Sequence, residues 1–307
     1  MMETTKQTKK PSAGQHRAGF VNIIGNPNVG KSTLMNALVG ENLSIVTAKA
    51  QTTRHRIMGI VNGEDWQIVF SDTPGILKPS YALQQSMLYF VDTAIGDADV
   101  ILYVTDVVEK KDKNAEYVEK LRQLTCPVII VLNKIDLSDQ PTVLKLIEEW
   151  QALVPAAEIF PVSAKERFNL EGILETIIGK LPVNPPWYDK EQFTDKSMRF
   201  FASEIIREKI LENYDKEIPY CTEVVIERFK EGDERYDIGA VINVMRDSQK
   251  GILIGKGGSA LKRVATQARL EMEDFFQKKV FLQVFVKVEP DWREDKKMLK
   301  KFGYIQD

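Results

Sequence analysis

Eight residues constrain this chain more than any others: Gly25-Asn26-Pro27-Asn28-Val29-Gly30-Lys31-Ser32. They fit the spacing G-x-x-x-x-G-K-[ST]. The segment follows the short apolar run Phe20–Ile24, which reads as a buried strand. It opens Ser32–Val39, helical in pattern and stopped by Gly40. A strand, a glycine-rich turn and a helix in that order build a cradle for phosphate groups. The glycines let backbone N–H groups turn inward, and the helix N-terminus adds partial positive charge. Lys31 is placed to contact β- and γ-phosphates and the Ser32 hydroxyl to ligate Mg²⁺, with Thr33 in the first helical turn. A chance Gly-rich turn with a Lys-Ser pair is disfavoured because strand, loop and helix are all in place.

The flanking pattern places this loop in an α/β fold. Arg56–Val61 and Trp66–Ser71 bracket Asn62-Gly63, a hairpin signal. Strands are then predicted at 99–105, 128–132 and 159–162, and helices at 114–124, 142–153 and 170–181. Such alternation implies right-handed βαβ units around a mixed, mostly parallel sheet with helices on both faces, the hairpin adding one antiparallel edge strand. The prolines at 182, 185 and 186 break the pattern, so 182–197 reads as a semi-rigid linker. Beyond it the predicted order is α-β-β-α-α-β, a second, α+β domain. The divisions are a flexible tail over 1–17, the loop-bearing domain over 18–181, the linker, the second domain over 198–290, and a basic tail over 291–307.

Composition agrees with two globular domains in 307 residues: 43% of residues are apolar and 28% charged, which excludes disorder over the whole length. Two cysteines, Cys126 and Cys221, cannot staple such a chain. No apolar run approaches the ~18 residues that span a bilayer, and no secretory signal is visible at the start. A cytoplasmic protein with reduced thiols is expected. The net charge of −2 means that nucleic-acid binding must come from a local patch.

Three further motifs narrow the nucleotide. Asp72-Thr73-Pro74-Gly75 ends the second hairpin strand, where a carboxylate holds Mg²⁺ through water and the Gly75 N–H faces a γ-phosphate. Asn133-Lys134-Ile135-Asp136 follows the strand Val128–Leu132. Asp136 can accept from the N1–H and exocyclic amine of guanine, a donor pair adenine lacks, so GTP and GDP are expected and ATP is not. Ser163-Ala164-Lys165 follows Ile159–Val162 and can close over the base. All four motifs fall beyond the carboxyl ends of strands, where open α/β sheets bind ligands.

On these motifs, residues 18–182 resemble a translation-factor-type GTPase domain. The resemblance implies that Gln51-Thr52-Thr53-Arg54 is a first switch, with Thr53 on Mg²⁺ and Thr52 ordering the loop, and that Lys31, Thr53, Asp72 and Gly75 form the catalytic set. Ile76 departs from the pattern. Many such enzymes carry a water-orienting Gln there, so slow intrinsic hydrolysis is expected. In relatives with the same loop, the residue at Asn28 helps bind K⁺; here that reading stands evenly beside simple shaping of the loop.

The second domain carries Ile254-Gly255-Lys256-Gly257-Gly258, a G-x-x-G loop between a short apolar segment and a helix expected to be capped by Ser259. Within α-β-β-α-α-β, this is the arrangement of a type II KH domain, whose glycines let a sugar-phosphate backbone approach. Lys256 and Lys262 add charge, with Lys250, Arg263 and Arg269 nearby and lysines dominating the tail. Phe200, Phe201, Phe275, Phe276, Phe281 and Phe285 read mostly as core, and His55 as incidental. The two domains together resemble the Era family of bacterial GTPases. The resemblance implies a monomeric, rRNA-binding factor on the 3′ end of small-subunit ribosomal RNA, acting in assembly of the small (30S) subunit, with peripheral contact at the cell membrane. The competing reading is a GTPase for tRNA modification or membrane events, with the KH domain as a docking module.

Overall fold

A computed structural model describes residues 15–109 and 115–305. Most of the expected flexible tail, and Asn114 at the head of a predicted helix, lie outside the described residues.

The first domain is built from β1 (Arg17–Gly25), α1 (Lys31–Val39), β2 (Ile57–Asn62), β3 (Trp66–Asp72), α2 (Ala82–Gly96), β4 (Val100–Asp106), α3 (Ala115–Gln123), β5 (Val128–Asn133), α4 (Gln140–Leu153), β6 (Glu158–Pro161) and α5 (Leu170–Lys180). Its sheet runs β2-β3-β1-β4-β5-β6. The β2–β3 pair is antiparallel and every other pair is parallel. Central strands covered on both faces need continuous apolar runs, and every residue of Val100–Asp106 is buried. Val21 and Ile23 pack with Leu34 and Met35 on one face. Ile24, Ile101, Tyr103 and Ile130 pack on the other.

The sequence pattern assigns nothing to α2. Its Leu83, Met87, Phe90, Val91 and Ala94 are buried at helical spacing. Its start signal is weak, however: the Tyr81 side chain makes no capping bond, the first turn has no acidic residue, and only Gln84 Oε1 accepts there, from the Ser80 N–H at 2.7 Å.

The second domain comprises α6 (Met198–Asn213), α7 (Ile218–Cys221), β7 (Glu223–Glu231), β8 (Arg235–Val244), α8 (Asp247–Ile254), α9 (Ser259–Phe276) and β9 (Lys279–Val288), followed by α10 (Lys296–Lys301). Apart from the one-turn α7, this is the expected α-β-β-α-α-β series. β7 pairs antiparallel with β8, and β8 parallel with β9. Phe281 and Phe285 depart from the core expectation. They are exposed on β9, an edge strand whose side chains alternate between the helices and solvent.

Two connecting segments differ from a free spacer and a free tail. The 182–197 segment is bonded to the β2–β3 hairpin: Ile60 N–H donates to Phe193 O at 2.9 Å, Thr194 Oγ1 to Met58 O at 2.7 Å, and Gln67 Nε2 to Tyr188 O at 2.8 Å. The C-terminal segment, read from its lysines as a basic tail, buries Trp292, Leu299 and Tyr304 against Leu83, Met87 and Phe90 of α2. It clasps the second domain to the first. Its few apolar residues, rather than its charge, decide where it goes.

Candidate functional site

At the end of β1 the chain enters a cleft of about 350 Å³ lined by Pro27, Asn28, Gly30, Lys31, Ser32 and Thr33 from the loop and α1. Thr47, Ala48, Thr52, Thr53, Gly75 and Lys134 close its other sides. Gly30 sits at φ +95°, and a Cβ there would lie 2.3 Å from Asn133 Nδ2. The same Asn133 donates to Val29 O at 2.9 Å and accepts from Ala164 N–H at 3.0 Å. One buried carboxamide therefore ties the phosphate loop to the 163–165 turn. Asp136 is exposed and accepts from Ser163 Oγ at 2.6 Å, so its carboxylate is oriented yet open to a base edge. Lys165 is exposed beside Glu166.

The Lys31 ammonium donates to Asn26 O at 2.8 Å. Burial pulls it down to about 8, with Asp72 and Glu109 acting in the opposite direction. It keeps most of its charge at neutral pH, a buried cation that a phosphate would stabilise. Ser32 Oγ donates to Asp72 Oδ2 at 2.7 Å and lies 2.9 Å from Thr53 Oγ1, which is itself 3.3 Å from Asp72 Oδ2. These oxygens come from α1, the 40–56 loop and β3. Asp72 is fully buried, and its Oδ1 has no hydrogen-bond partner among the described residues. Burial pushes its carboxyl up. Two hydroxyls and a buried carboxylate with an unsatisfied oxygen fit a hard divalent cation such as Mg²⁺.

Not every sequence-predicted residue faces the cleft. Thr73 is buried, and its hydroxyl donates to Ile23 O at 2.7 Å. Ile76 turns its side chain into the core with Val91 and Tyr103 and gives its N–H to Gly25 O at 3.0 Å. Both brace the loop from behind, in the segment that follows β3, through their bonds to the β1 carbonyls of Ile23 and Gly25. Gly25 is required by packing, since a Cβ there would meet Val104 O at 2.1 Å. Gly75 lies against Pro27 with similar economy, a Cβ falling 2.7 Å from the Pro27 nitrogen. Asn28, at φ +66°, donates from Nδ2 to Ala48 O at 3.2 Å, bridging the phosphate loop to the 40–56 loop. Sequence reasoning missed Glu109, which accepts from Asn26 Nδ2 and from Thr105 Oγ1. A lone glutamate in a loop carries no local signature.

The second glycine loop joins α8 to α9. Gly255, Gly257 and Gly258 all have positive φ, and nothing lies within 4 Å of where a Cβ on Gly257 or Gly258 would sit. Their backbone is open, and Lys256 and Lys262 are exposed beside it. Ser259 does not cap α9. Gly258 occupies that position without a side-chain bond, leaving the helix's first N–H groups to another acceptor. Arg269 and Lys279 are paired with Glu273, and Arg293 stacks on Tyr81. Lys256 and Lys262 beside the loop, and Lys296, Lys297, Lys300 and Lys301 of the C-terminal segment, stay exposed.

Residues 20–134 match the family profile described as 50S ribosome-binding GTPase, and residues 217–293 that of the KH domain. The chain is 43% identical over 295 residues to GTPase Era of Staphylococcus haemolyticus, covering 95% of this chain and 99% of the relative. It belongs to the Era family of GTPases. The chloroplast GTPase ERA1 of Zea mays is likewise 43% identical, over 94% of this chain and 71% of its own. Two solved Era structures superpose over almost the whole chain. Aquifex aeolicus Era, as a tyrosine-to-alanine variant bound to GDP and AlF4⁻, matches with a TM-score of 0.90 at 39% identity, covering 94% of this chain and 100% of that one. Era in complex with MgGDPNP and nucleotides 1506–1542 of 16S ribosomal RNA matches with a TM-score of 0.91 at 39% identity, covering 95% and 100%. The P-loop GTPase fold followed by a KH-type domain is therefore the architecture of this Era-family chain. Among its described residues, no helix is long and apolar enough to cross a membrane.

Proposed function

We propose that this chain is a GTP-hydrolysing, RNA-binding factor that engages the 3′ end of 16S ribosomal RNA during assembly of the small ribosomal subunit. The observation that carries the reading is two open backbone cradles in one chain. One, Gly25–Ser32, lies on the guanine-reading side of the first sheet, and the other, Gly255–Gly258, lies at the head of α9. The family's relatives support it. One solved Era holds a GDP–AlF4⁻ complex and another a 16S fragment.

Lys31 and the loop N–H groups bind the β- and γ-phosphates, and Asp136 selects guanine over adenine. Ser32, Thr53 and Asp72, the last through water, are the residues that would hold Mg²⁺, which supplies charge neutralisation between the β- and γ-phosphates when bound. The Gly75 N–H faces the γ-phosphate. Ile76, buried and apolar, cannot orient the attacking water, so hydrolysis is slow. Asn28, whose Nδ2 is bonded to Ala48 O, would hold a K⁺ through its Oδ1 if one binds, and the ion would supply positive charge for the transition state; a rate unchanged when K⁺ is replaced by Na⁺ would leave Asn28 the loop-shaping role alone. The protein works as a cytoplasmic monomer, with at most peripheral membrane contact.

GTP-ordered switch segments change the affinity of the KH groove only if GTP prefers one arrangement. The test is the affinity of the full chain for a 16S 3′-terminal RNA with a non-hydrolysable GTP analogue and with GDP. Tighter binding in the GTP form is expected; equal affinities refute the switch. Lys256→Glu is expected to abolish RNA binding and leave nucleotide binding intact. Unchanged RNA binding would favour a docking module instead.

A further inference from the structure

Thr53 is held on both sides by the other domain. The carbonyl of Thr52 accepts from Arg207 Nη2 on α6 at 2.5 Å. The Arg54 guanidinium reaches the α7–β7 junction. Its Nη1 donates to Thr222 O at 2.8 Å and lies 3.2 Å from Glu223 Oε2, and its Nη2 donates to Pro219 O at 3.0 Å. Lys49 closes the same segment onto the end of α6, donating to Leu211 O at 2.5 Å and to Asp215 Oδ1 at 2.9 Å. The residue between these grips points its hydroxyl at Ser32 and Asp72.

Arg207 is built to hold its target. It is 2% exposed, and Glu204 fixes it from the same helix with bonds of 2.8 Å to Nε and 2.5 Å to Nη2. A guanidinium clamped this way has little rotamer freedom left to lose, unlike a surface arginine. A charge-assisted bond to a backbone carbonyl in a buried site therefore positions the peptide rather than merely decorating it.

The helix that carries Arg207 is also bonded to the helix that opens at the second glycine loop. Lys209 pairs with Glu271 at 2.5 Å, Asn213 Nδ2 donates to Gln267 Oε1 at 2.7 Å, and Arg263 Nε donates to Asn213 Oδ1 at 2.9 Å. A shift of α9 against α6 is thus placed to act on the peptide preceding Thr53.

We propose that Arg207 is a positioning residue for the GTP site. Through the Thr52 carbonyl, the RNA-binding domain sets Thr53 beside Ser32 and Asp72. GTP binding and hydrolysis then depend on the posture of α6, while GDP, which has no γ-phosphate for the switch to close on, does not. Linkage makes the effect mutual: an RNA that favours this posture of α6 tightens GTP, and GTP tightens RNA by the same factor. The inference rests on the GTP reading above.

The test uses the full chain. Arg207→Met alone would strand the buried Glu204 carboxylate, so Arg207→Met is paired with Glu204→Gln. A second variant, Arg207→Lys, keeps a cation for Glu204 but lacks the second donor arm that reaches Thr52. For each, the affinities for GDP and for a non-hydrolysable GTP analogue are measured across Mg²⁺ concentrations, with single-turnover GTP hydrolysis alongside. GDP affinity is expected to stay within about twofold of the parent. The analogue is expected to bind about tenfold more weakly, the loss of one charge-assisted bond. Its half-saturating Mg²⁺ should rise by a similar factor, and hydrolysis at saturating GTP should slow. Unchanged analogue affinity and Mg²⁺ dependence would overturn the proposal. So would equal weakening of both nucleotides, which marks a purely structural contact. If the double variant does not fold, Arg207→Lys decides by the same criteria. A parent chain that fails to bind GTP would instead sink the nucleotide reading, before any variant is compared.

Discussion

Acid should loosen this molecule through a single imidazole. His55 follows Thr53 and Arg54 and stacks on Tyr304 of the C-terminal segment, with ring centroids 4.3 Å apart and planes 13° from parallel. Phe200 meets it edge-on at 5.6 Å, and Phe90 of α2 lies at 6.2 Å. Desolvation among these rings pulls its pKa from 6.5 to about 4. Glu204 acts against the shift, and Arg207, Lys196 and Arg54 add to it. The unfolded chain takes up the proton below about pH 6.5, whereas the folded one refuses it down to about pH 4. Stability contributed by the neutral ring is therefore complete above the unfolded value and is lost as pH falls through this window. The slope is about 1.4 kcal/mol per pH unit, so about 2 kcal/mol should be gone by about pH 5. The ring borders a small cleft with Arg56 and Asp97, and water there screens it, so 2 kcal/mol is an upper figure. Burial also raises the carboxyls of Asp72 and Glu223, and His55→Phe isolates the imidazole. Urea unfolding of parent and variant at about pH 7.5 and about pH 5 should show the parent losing on the order of 1–2 kcal/mol more than the variant. Equal losses would refute the reasoning.

Three further outcomes are expected. Asp136→Asn removes the acceptor pair for guanine and presents an amide N–H, so GTP affinity should fall roughly a hundredfold and affinity for the xanthine nucleotide should rise, read by calorimetry. Trp292→Ala empties a fully buried site and strands the Cys221 carbonyl that accepts its Nε1–H at 3.0 Å. A loss of about 3–5 kcal/mol is expected in urea unfolding, and less than about 1 kcal/mol would mean that the C-terminal clasp contributes little. Gly255→Ala places a Cβ 2.7 Å from Ala260 Cβ at φ +72°. RNA affinity should drop while GTP affinity holds, and a gel-shift titration beside nucleotide calorimetry checks both.

The order of the two folds and the strand, loop and helix around Gly25–Ser32 were legible because each depends on residues close together in the chain. Gly30-Lys31-Ser32 announces its chemistry through spacing, and Val128–Leu132 announces a buried strand through its side chains alone. The same local logic read the second domain from Gly255 and Gly258 and the pattern around them. It failed where two demands compete at one position. Thr73 and Ile76 follow Asp72 in the motif, yet bonds to the β1 carbonyls and packing against Val91 and Tyr103 hold them in the core.

Tertiary structure alone decided how the two halves meet. Arg54 and Glu223 are far apart in sequence and form a buried ion pair at 3.2 Å, completed by Tyr304 donating to Glu223 at 2.7 Å. Nothing near Arg54 distinguishes it from a surface arginine, and nothing near Trp292 says that a lysine-rich segment will be pinned beneath α2. A charge or ring declares its partner only when the fold removes it from water, because desolvation makes an unpartnered group costly and selects the one arrangement that satisfies it. The sequence specifies a nucleotide grip and an RNA loop. The packed interface joins them, placing Thr53 within reach of Ser32 and Asp72 while its neighbours are held by the other domain.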